Sequence, residues 1–168
     1  MNPVALLKKY YVEGSELYNC VLAHSLSVAK KAEAISLAHP ELDVDAHFVY
    51  EAAILHDIGV FLTHAPEIDC VGEVPYIQHG RLGAELLRRE GFPTHARVCE
   101  RHTGTGISLP EGDFFPETTE EKLICYADCF YSKTHLDVEK PVAQIKQSLS
   151  KYGAGSVARF EEMYNLFK

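Results

Sequence analysis

The run Ala52-Ala53-Ile54-Leu55-His56-Asp57-Ile58-Gly59 ends an apolar, helix-like stretch on an imidazole and a carboxylate side by side. A carboxylate buried next to an imidazole is costly without a cation or a hydrogen-bond partner. A divalent metal satisfies both groups at once. Any fold for this chain must therefore bring further ligands to the end of this helix, or leave the pair unpaid.

The rest of the pattern is helical almost throughout, with no long alternation of period two. Ser15 to Ala38 carries apolar residues at Leu17, Val21, Val28 and Ile35, a helical spacing, and Pro40 ends that helix. Asp45 suits an N-cap for the next helix and Gly59 its C-terminal exit. Residues 61–78 hold Pro66, Gly72 and Pro75 without periodicity and read as a loop over a site. A helix is expected near Gly80–Glu90, stopped by Gly91, and another from Pro93 to about Thr103. Residues 104–117 read as a loop, and Thr118 or Thr119 caps a helix through Tyr131 with Glu120 or Glu121 in its first turn. Two further helices fill 138–151 and 154–167, separated by Gly153. The expectation is an all-α single domain over residues 1–168, a helical bundle with its core at about 15–135 and C-terminal helices at 138–167.

His24 falls on the apolar stripe Leu17, Val21, His24, Val28, so its ring points into the core. A lone histidine there is more often a hydrogen-bonded core residue than a ligand. Asp128 lies in the run Leu-Ile-Cys-Tyr-Ala-Asp-Cys-Phe-Tyr, away from any capping position, and buried aspartates are uncommon unless paired. With His56 and Asp57 these make two imidazoles and two carboxylates, a set that suits Mn²⁺, Fe²⁺, Mg²⁺ or Zn²⁺. His79 shares a helix face with Leu82, Gly83 and Leu86, and Gly83 lets another backbone come close. His102 ends the apolar series Ala96, Val98, Cys99. With Asp57 as a bridge, His79 and His102 supply a second metal position, a recurrent device for attack on phosphorus. Of the other histidines, His64 is a candidate substrate contact, while His39, His47, His95 and His135 sit at helix ends and turns and are expected at the surface.

Composition narrows the partners. A net charge of −8 without a dense Lys/Arg tract weighs against polymeric nucleic acid. No stretch is long and apolar enough for a membrane span and the N-terminus has no signal-peptide pattern, which leads to a cytoplasmic expectation. Five cysteines without a Cys-x-x-Cys read as reduced core thiols.

The order His24, His56-Asp57 within His56-Asp57-Ile58-Gly59, then Asp128 resembles the HD-domain metal-dependent phosphohydrolase superfamily, over about residues 15–135. Residues 90–93, 100–107 and 116–128 look like a group of small HDIG proteins found widely in archaea. His79-Gly-Arg-Leu-Gly-Ala84 and His102-Thr-Gly104 are also similar to bacterial HD hydrolases that split diadenosine tetraphosphate symmetrically at a dinuclear site. The resemblance implies that His24, His56, Asp57 and Asp128 bind one divalent ion and that Asp57, His79 and His102 bind another, the ion being Mn, Fe, Mg, Co, Ni or Zn. It implies hydrolysis of a small phosphorylated metabolite or nucleotide by metal-activated water, with Asp57 and Asp128 as the catalytic carboxylates. A homo-oligomer is compatible with it. Many members carry Lys or Arg just after the His-Asp-x-Gly segment, where this chain has Val60. Arg81, Arg101, Lys122 and Lys133 are the candidate replacement cations for phosphate, each equally readable as a solvated surface charge. Two alternatives share the ligand set: a di-iron oxygenase of the same fold, and a non-catalytic module that keeps a metal or nucleotide.

Overall fold

The computed structural model describes residues 1–104 and 114–168. Among these, eight α-helices form: α1 (Pro3–Tyr10), α2 (Glu16–Ala38), α3 (Ala46–Leu55), α4 (His79–Arg89), α5 (Pro93–Arg101), α6 (Thr119–Cys129), α7 (Val142–Leu149) and α8 (Ala154–Phe167). The all-α expectation holds, with one small sheet added. Helix α1 occupies a stretch to which the sequence pattern assigned no element. Asn2 accepts from Ala5 N at 3.0 Å and Pro3 stands in the first turn, so both ends of its start-up cost are met locally.

The caps read from sequence are present. Ser15 accepts from Tyr18 N, and Asp45 from Phe48 N at 3.0 Å. Thr118 and Glu121 form a reciprocal capping box, a device worth about 1 kcal/mol. Gly91 adopts φ 89°, a turn that other residues rarely enter, and α4 stops before it. Two boundaries differ from expectation. Helix α6 ends at Cys129 rather than Tyr131, and the helix expected from 138 starts at Val142, because extended Pro141 sets its entry.

Gly59 does not end α3. The helix stops at Leu55, His56 is its C-cap, and Gly59 lies inside a 3₁₀ turn, Ile58–Leu62. Its reason is close approach: an added Cβ would stand 2.3 Å from His79 O and 2.4 Å from Gly83 N. Gly83 is the other side of the same contact, as expected of it, and a Cβ there would meet Cys99 Sγ at 2.6 Å. Two glycines thus let the His56-Asp57 turn, α4 and α5 meet at backbone distance.

Residues 61–78 are not a plain loop. They contain β1 (Thr63–Ala65), β2 (Cys70–Val71) and β3 (Val74–Pro75) in the order β2-β1-β3. Strand β1 runs antiparallel to β2, with His64 opposite Val71, and parallel to β3, with Thr63 opposite Val74. Strands this short give too few residues for a period-two signal. Of the loop expected over 104–117, residues 105–113 lie outside the described residues.

Helix α3 is the centre of the core. Ala53, Ile54 and Leu55 are fully buried and α1, α2, α5 and α6 all pack on it. Ile54 and Leu55 each contribute roughly 1.5–3 kcal/mol by burial. Helix α8 docks on α6 through stacked Phe160 and Tyr126 rings, 5.7 Å apart. No helix among the described residues is long and apolar enough to cross a membrane.

Candidate metal centre

The end of α3 drives Asp57 into a place where it has no exposure at all. Tyr11, at the end of α1, holds this turn: its hydroxyl lies 3.0 Å from Ile58 O and 3.3 Å from Asp57 O, and accepts from Phe61 N. Cys99 Sγ donates to His56 O at 3.0 Å from α5.

Four elements then converge on the Asp57 carboxylate. Oδ2 lies 3.1 Å from His56 Nε2 and 3.3 Å from His24 Nε2, which descends from α2. Oδ1 lies 3.1 Å from His79 Nε2 and 3.3 Å from His102 Nε2, from α4 and the end of α5. Asp128 Oδ1, on α6, lies 2.8 Å from His24 Nε2 and 3.4 Å from His56 Nε2. The ligand atoms fall into two groups, His24, His56, Asp57 and Asp128, and Asp57, His79 and His102. These are the two sets expected from the sequence, and Asp57 belongs to both.

The protonation of the rings decides what this cluster wants. His56 Nδ1 faces Ala53 O, His79 Nδ1 faces Tyr76 O and His102 Nδ1 faces Cys99 O, each at 2.6 Å. A carbonyl only accepts, so each Nδ1 carries the hydrogen and each Nε2 of a neutral ring presents a lone pair. Three lone pairs and two carboxylates therefore face one another. His79 Nε2 and His102 Nε2 stand only 3.0 Å apart, acceptor against acceptor. Asp57 Oδ1, Asp57 Oδ2 and His56 Nε2 are buried and take no well-directed hydrogen bond. Such an arrangement is repulsive by itself and is satisfied by cations at its centre. The set of imidazole nitrogens and carboxylate oxygens fits divalent ions of the Mn, Fe, Co or Zn kind.

The same demand for positive charge would be met by a proton on His56 Nε2 in a cluster holding no ion, and the lone pair is what that ring would offer to an ion in the proton's place. Burial alone would strip the His56 ring of a proton, yet the adjoining Asp57 carboxylate lifts it to about 10. Burial would raise Asp57, but His56 and Lys133 hold it well below the carboxylate range. His102 falls below its ordinary value because burial outweighs its carboxylate neighbour.

Lys133 is the one candidate replacement cation that reaches the cluster. Its Nζ stands 2.6 Å from Asp57 Oδ2 and 5.5 Å from the centre of the Tyr76 ring. Burial works against its charge, but Asp57 raises it above the ordinary lysine range. Val60 is fully buried in the core, where a cation would be desolvated, so the charge comes from a distant segment instead. Arg81 is tied to Gln78 and Glu85, and Arg101 to Phe115 O and Glu117. Lys122 is half-buried on α6, and His64 is exposed on β1; the cavity described next is lined by neither, nor by Arg81 or Arg101. Phe114 and Phe115 pack against the guanidinium groups of Arg101 and Arg159. His95, expected at the surface, is half-buried against Glu51.

A cavity of about 390 Å³ opens onto the cluster. His24, His79, His102, Asp128 and Lys133 form its charged end, and Tyr76, Ile77 and Tyr131 its sides. Lys140, Ile145, Ser148, Leu149 and Tyr152 line it as well, residues to which the sequence pattern attached no function. Nothing in their spacing distinguishes them from the other surface residues of short helices.

The matched region fits this geometry. The HD domain model covers residues 21–132, which contain all six residues of the cluster. The chain belongs to the HD domain family. It is 32% identical to an uncharacterised protein of Methanocaldococcus jannaschii, over 88% of this chain and 90% of that one. It is also 33% identical to a tRNA (cytidine(56)-2'-O)-methyltransferase of Picrophilus torridus and 32% identical to one of Thermoplasma volcanium, over 64% and 76% of this chain. The matched part is 29% and 35% of those two proteins, so most of each lies outside the likeness to this HD domain.

Proposed function

We propose that this HD domain is a metal-dependent phosphohydrolase that takes a small phosphorylated substrate in the cavity over Asp57. The observation that carries the reading is the set of opposed Nε2 lone pairs around the buried Asp57 carboxylate, whose one ammonium partner, Lys133, sits at Oδ2 alone. His24, His56, Asp57 and Asp128 would hold one divalent ion and Asp57, His79 and His102 the other. When bound, the ions supply Lewis acidity toward phosphoryl oxygens and a lowered water pKa.

The chain's own groups do the rest. Asp57 is fully buried and does not line the cavity, so its carboxylate would help hold the ions and would not touch substrate. Asp128 keeps about a fifth of its side chain exposed (22%) and lines the cavity, so its carboxylate is the one placed to accept a hydrogen bond from the attacking water and aim it. The Ala53, Tyr76 and Cys99 carbonyls keep three rings from turning. Lys133 presents fixed positive charge where the phosphoryl group develops negative charge, a role worth about 10²–10³ in rate for a single well-placed donor. In the reaction the water oxygen bonds to phosphorus as the bond from phosphorus to the leaving oxygen breaks. One proton leaves the water and one joins the leaving oxygen, giving alcohol and phosphate.

An acidic protein with a cavity of this size is suited to a metabolite or nucleotide rather than a polymer. The test is metal content and phosphate release together. Purified protein loaded with Mn²⁺, Fe²⁺ or Co²⁺ is expected to hold two ions per chain and to release phosphate from a panel of nucleotides and sugar phosphates. Asp57→Asn is expected to lose both ions and at least about 10³ of the rate. Full phosphate release by a metal-free Asp57→Asn protein would falsify the assignment.

A further inference from the structure

Part of the cavity lining comes from beyond the part of the chain that the family model matches, which ends at residue 132. Lys133, Lys140 and the α7 residues Ile145, Ser148 and Leu149 all come after it. The ligand cluster is thus inside the matched family region, and these lining residues lie outside it.

With Lys133, Lys140 is a charged group of that lining. Its backbone N donates to Phe130 O at 2.8 Å, which fixes it to the end of α6, two residues past Asp128. Among the described residues five of the ten lysines have carboxylate partners: Lys8 with Glu13, Lys9 with Glu90, Lys31 with Glu139, Lys133 with Asp57 and Lys146 with Glu161. Glu139 is the sequence neighbour of Lys140, yet it is turned to Lys31 on α2. Among the described residues Lys140 has no carboxylate within ion-pair distance, although the chain carries 24 acidic residues. It is half-buried and lines both the cavity over the metal cluster and an adjoining groove with Ser132, Thr134 and Gln144. The cavity is therefore lined by two lysines, Lys133 beside Asp57 and Lys140, which has no carboxylate partner among the described residues, and by the apolar Ile145 and Leu149.

We propose that Lys140 reads a second anionic group on the substrate, so that the site selects a compact phosphate ester carrying another phosphate or a carboxylate. The proposal rests on the phosphohydrolase reading for the placement of the first phosphate at the ligand cluster. A cavity of 390 Å³ stands near the small end of the range for ligand sites, about 300–1,000 Å³, so the two anions belong to one small molecule and not to two nucleosides joined by a polyphosphate. An ammonium serves as a point charge for such a group, and low-dielectric walls strengthen its attraction.

The test compares matched ligands on the metal-loaded protein. Fructose 6-phosphate is set against fructose 1,6-bisphosphate, and adenosine 5'-monophosphate against adenosine 3',5'-bisphosphate. The bisphosphate of each pair is expected to raise the melting temperature more, and to be turned over with at least about tenfold higher kcat/KM, as one added charge pair of about 1.4 kcal/mol gives. Lys140→Met is expected to bring both ratios toward one, with the metal count per chain retained, and Lys140→Arg to keep them above one. Ratios that stay the same in Lys140→Met, or equal effects of mono- and bisphosphates on the unaltered protein, overturn the proposal. The melting-temperature arm needs no turnover. Absence of phosphate release with a preserved Lys140-dependent shift sinks the hydrolase reading and keeps this one, whereas release without any bisphosphate preference does the reverse.

Discussion

Two buried carboxylates, Glu51 and Asp57, stand six residues apart on and just after α3, and both are crowded by histidines. Glu51 is 7% exposed at its side chain and Asp57 not at all. Around Glu51 the partners are donors: the Met1 amino group at 2.9 Å, His95 Nε2 at 2.8 Å and His47 Nε2 at 3.0 Å. No buried side-chain polar atom of Glu51 or His95 is left without a hydrogen-bond partner. Around Asp57 three of the four imidazoles have their Nδ1 hydrogen committed to a carbonyl and present lone pairs instead. Histidines beside a carboxylate are therefore not in themselves a site. What marks one is where the rings' hydrogens already go: a spare hydrogen makes a satisfied ion cluster, and a committed one makes a ligand.

The largest effect should follow from removing a committed ring. His102→Ala is expected to lower metal content from two ions to one per chain and to cut phosphate release by about 10²–10³, read by metal analysis and a phosphate assay. His95→Ala, its counterpart at Glu51, should leave metal content alone, and a loss of metal there would break the comparison. Next in size, Glu51→Gln weakens a satisfied buried cluster and should cost roughly 1–3 kcal/mol in denaturant unfolding, with metal content retained.

The same variant sharpens the comparison through pH. Burial would raise Glu51, but the amino terminus and His95 bring it below the ordinary glutamate value. A depressed carboxylate contributes stability that is present above its unfolded value, about 4.5, and is lost as pH falls through its folded value. Unfolding free energy of the unaltered protein should therefore fall more steeply below about pH 4.5 than that of Glu51→Gln; parallel acid limbs would show that the cluster contributes nothing. The smallest effect belongs to His47, whose side chain is 77% exposed. His47→Ala should change stability by no more than about 0.5 kcal/mol, since an exposed pair is screened by water and salt.

Much of the ligand set was legible because the helical period puts His24 on the stripe with Val21 and Val28, and because a His-Asp pair in an apolar run has few other uses. His24, His56, Asp57, His79, His102 and Asp128 come together in two groups that could hold a metal ion. The choice among the cations was not legible. Arg81, Arg101, Lys122 and Lys133 are alike in a sequence, and only Lys133 comes within 2.6 Å of Asp57. Tyr11 and the three β-strands were missed for a related reason: short elements held by long-range hydrogen bonds leave no periodic trace. Gly59 was recognised as special but for the wrong reason, since close approach and chain reversal ask for the same residue.

The sequence by itself determined the helices, their caps and the apolar faces that carry the ligands inward, because these depend on residues three or four apart. Only the tertiary structure decided which nitrogen of each ring points at Asp57, which lysine neutralises it and what else lines the cavity. Those depend on carbonyls, charges and walls brought together from α1 to α7, and no local pattern encodes a distance between segments that meet only on folding.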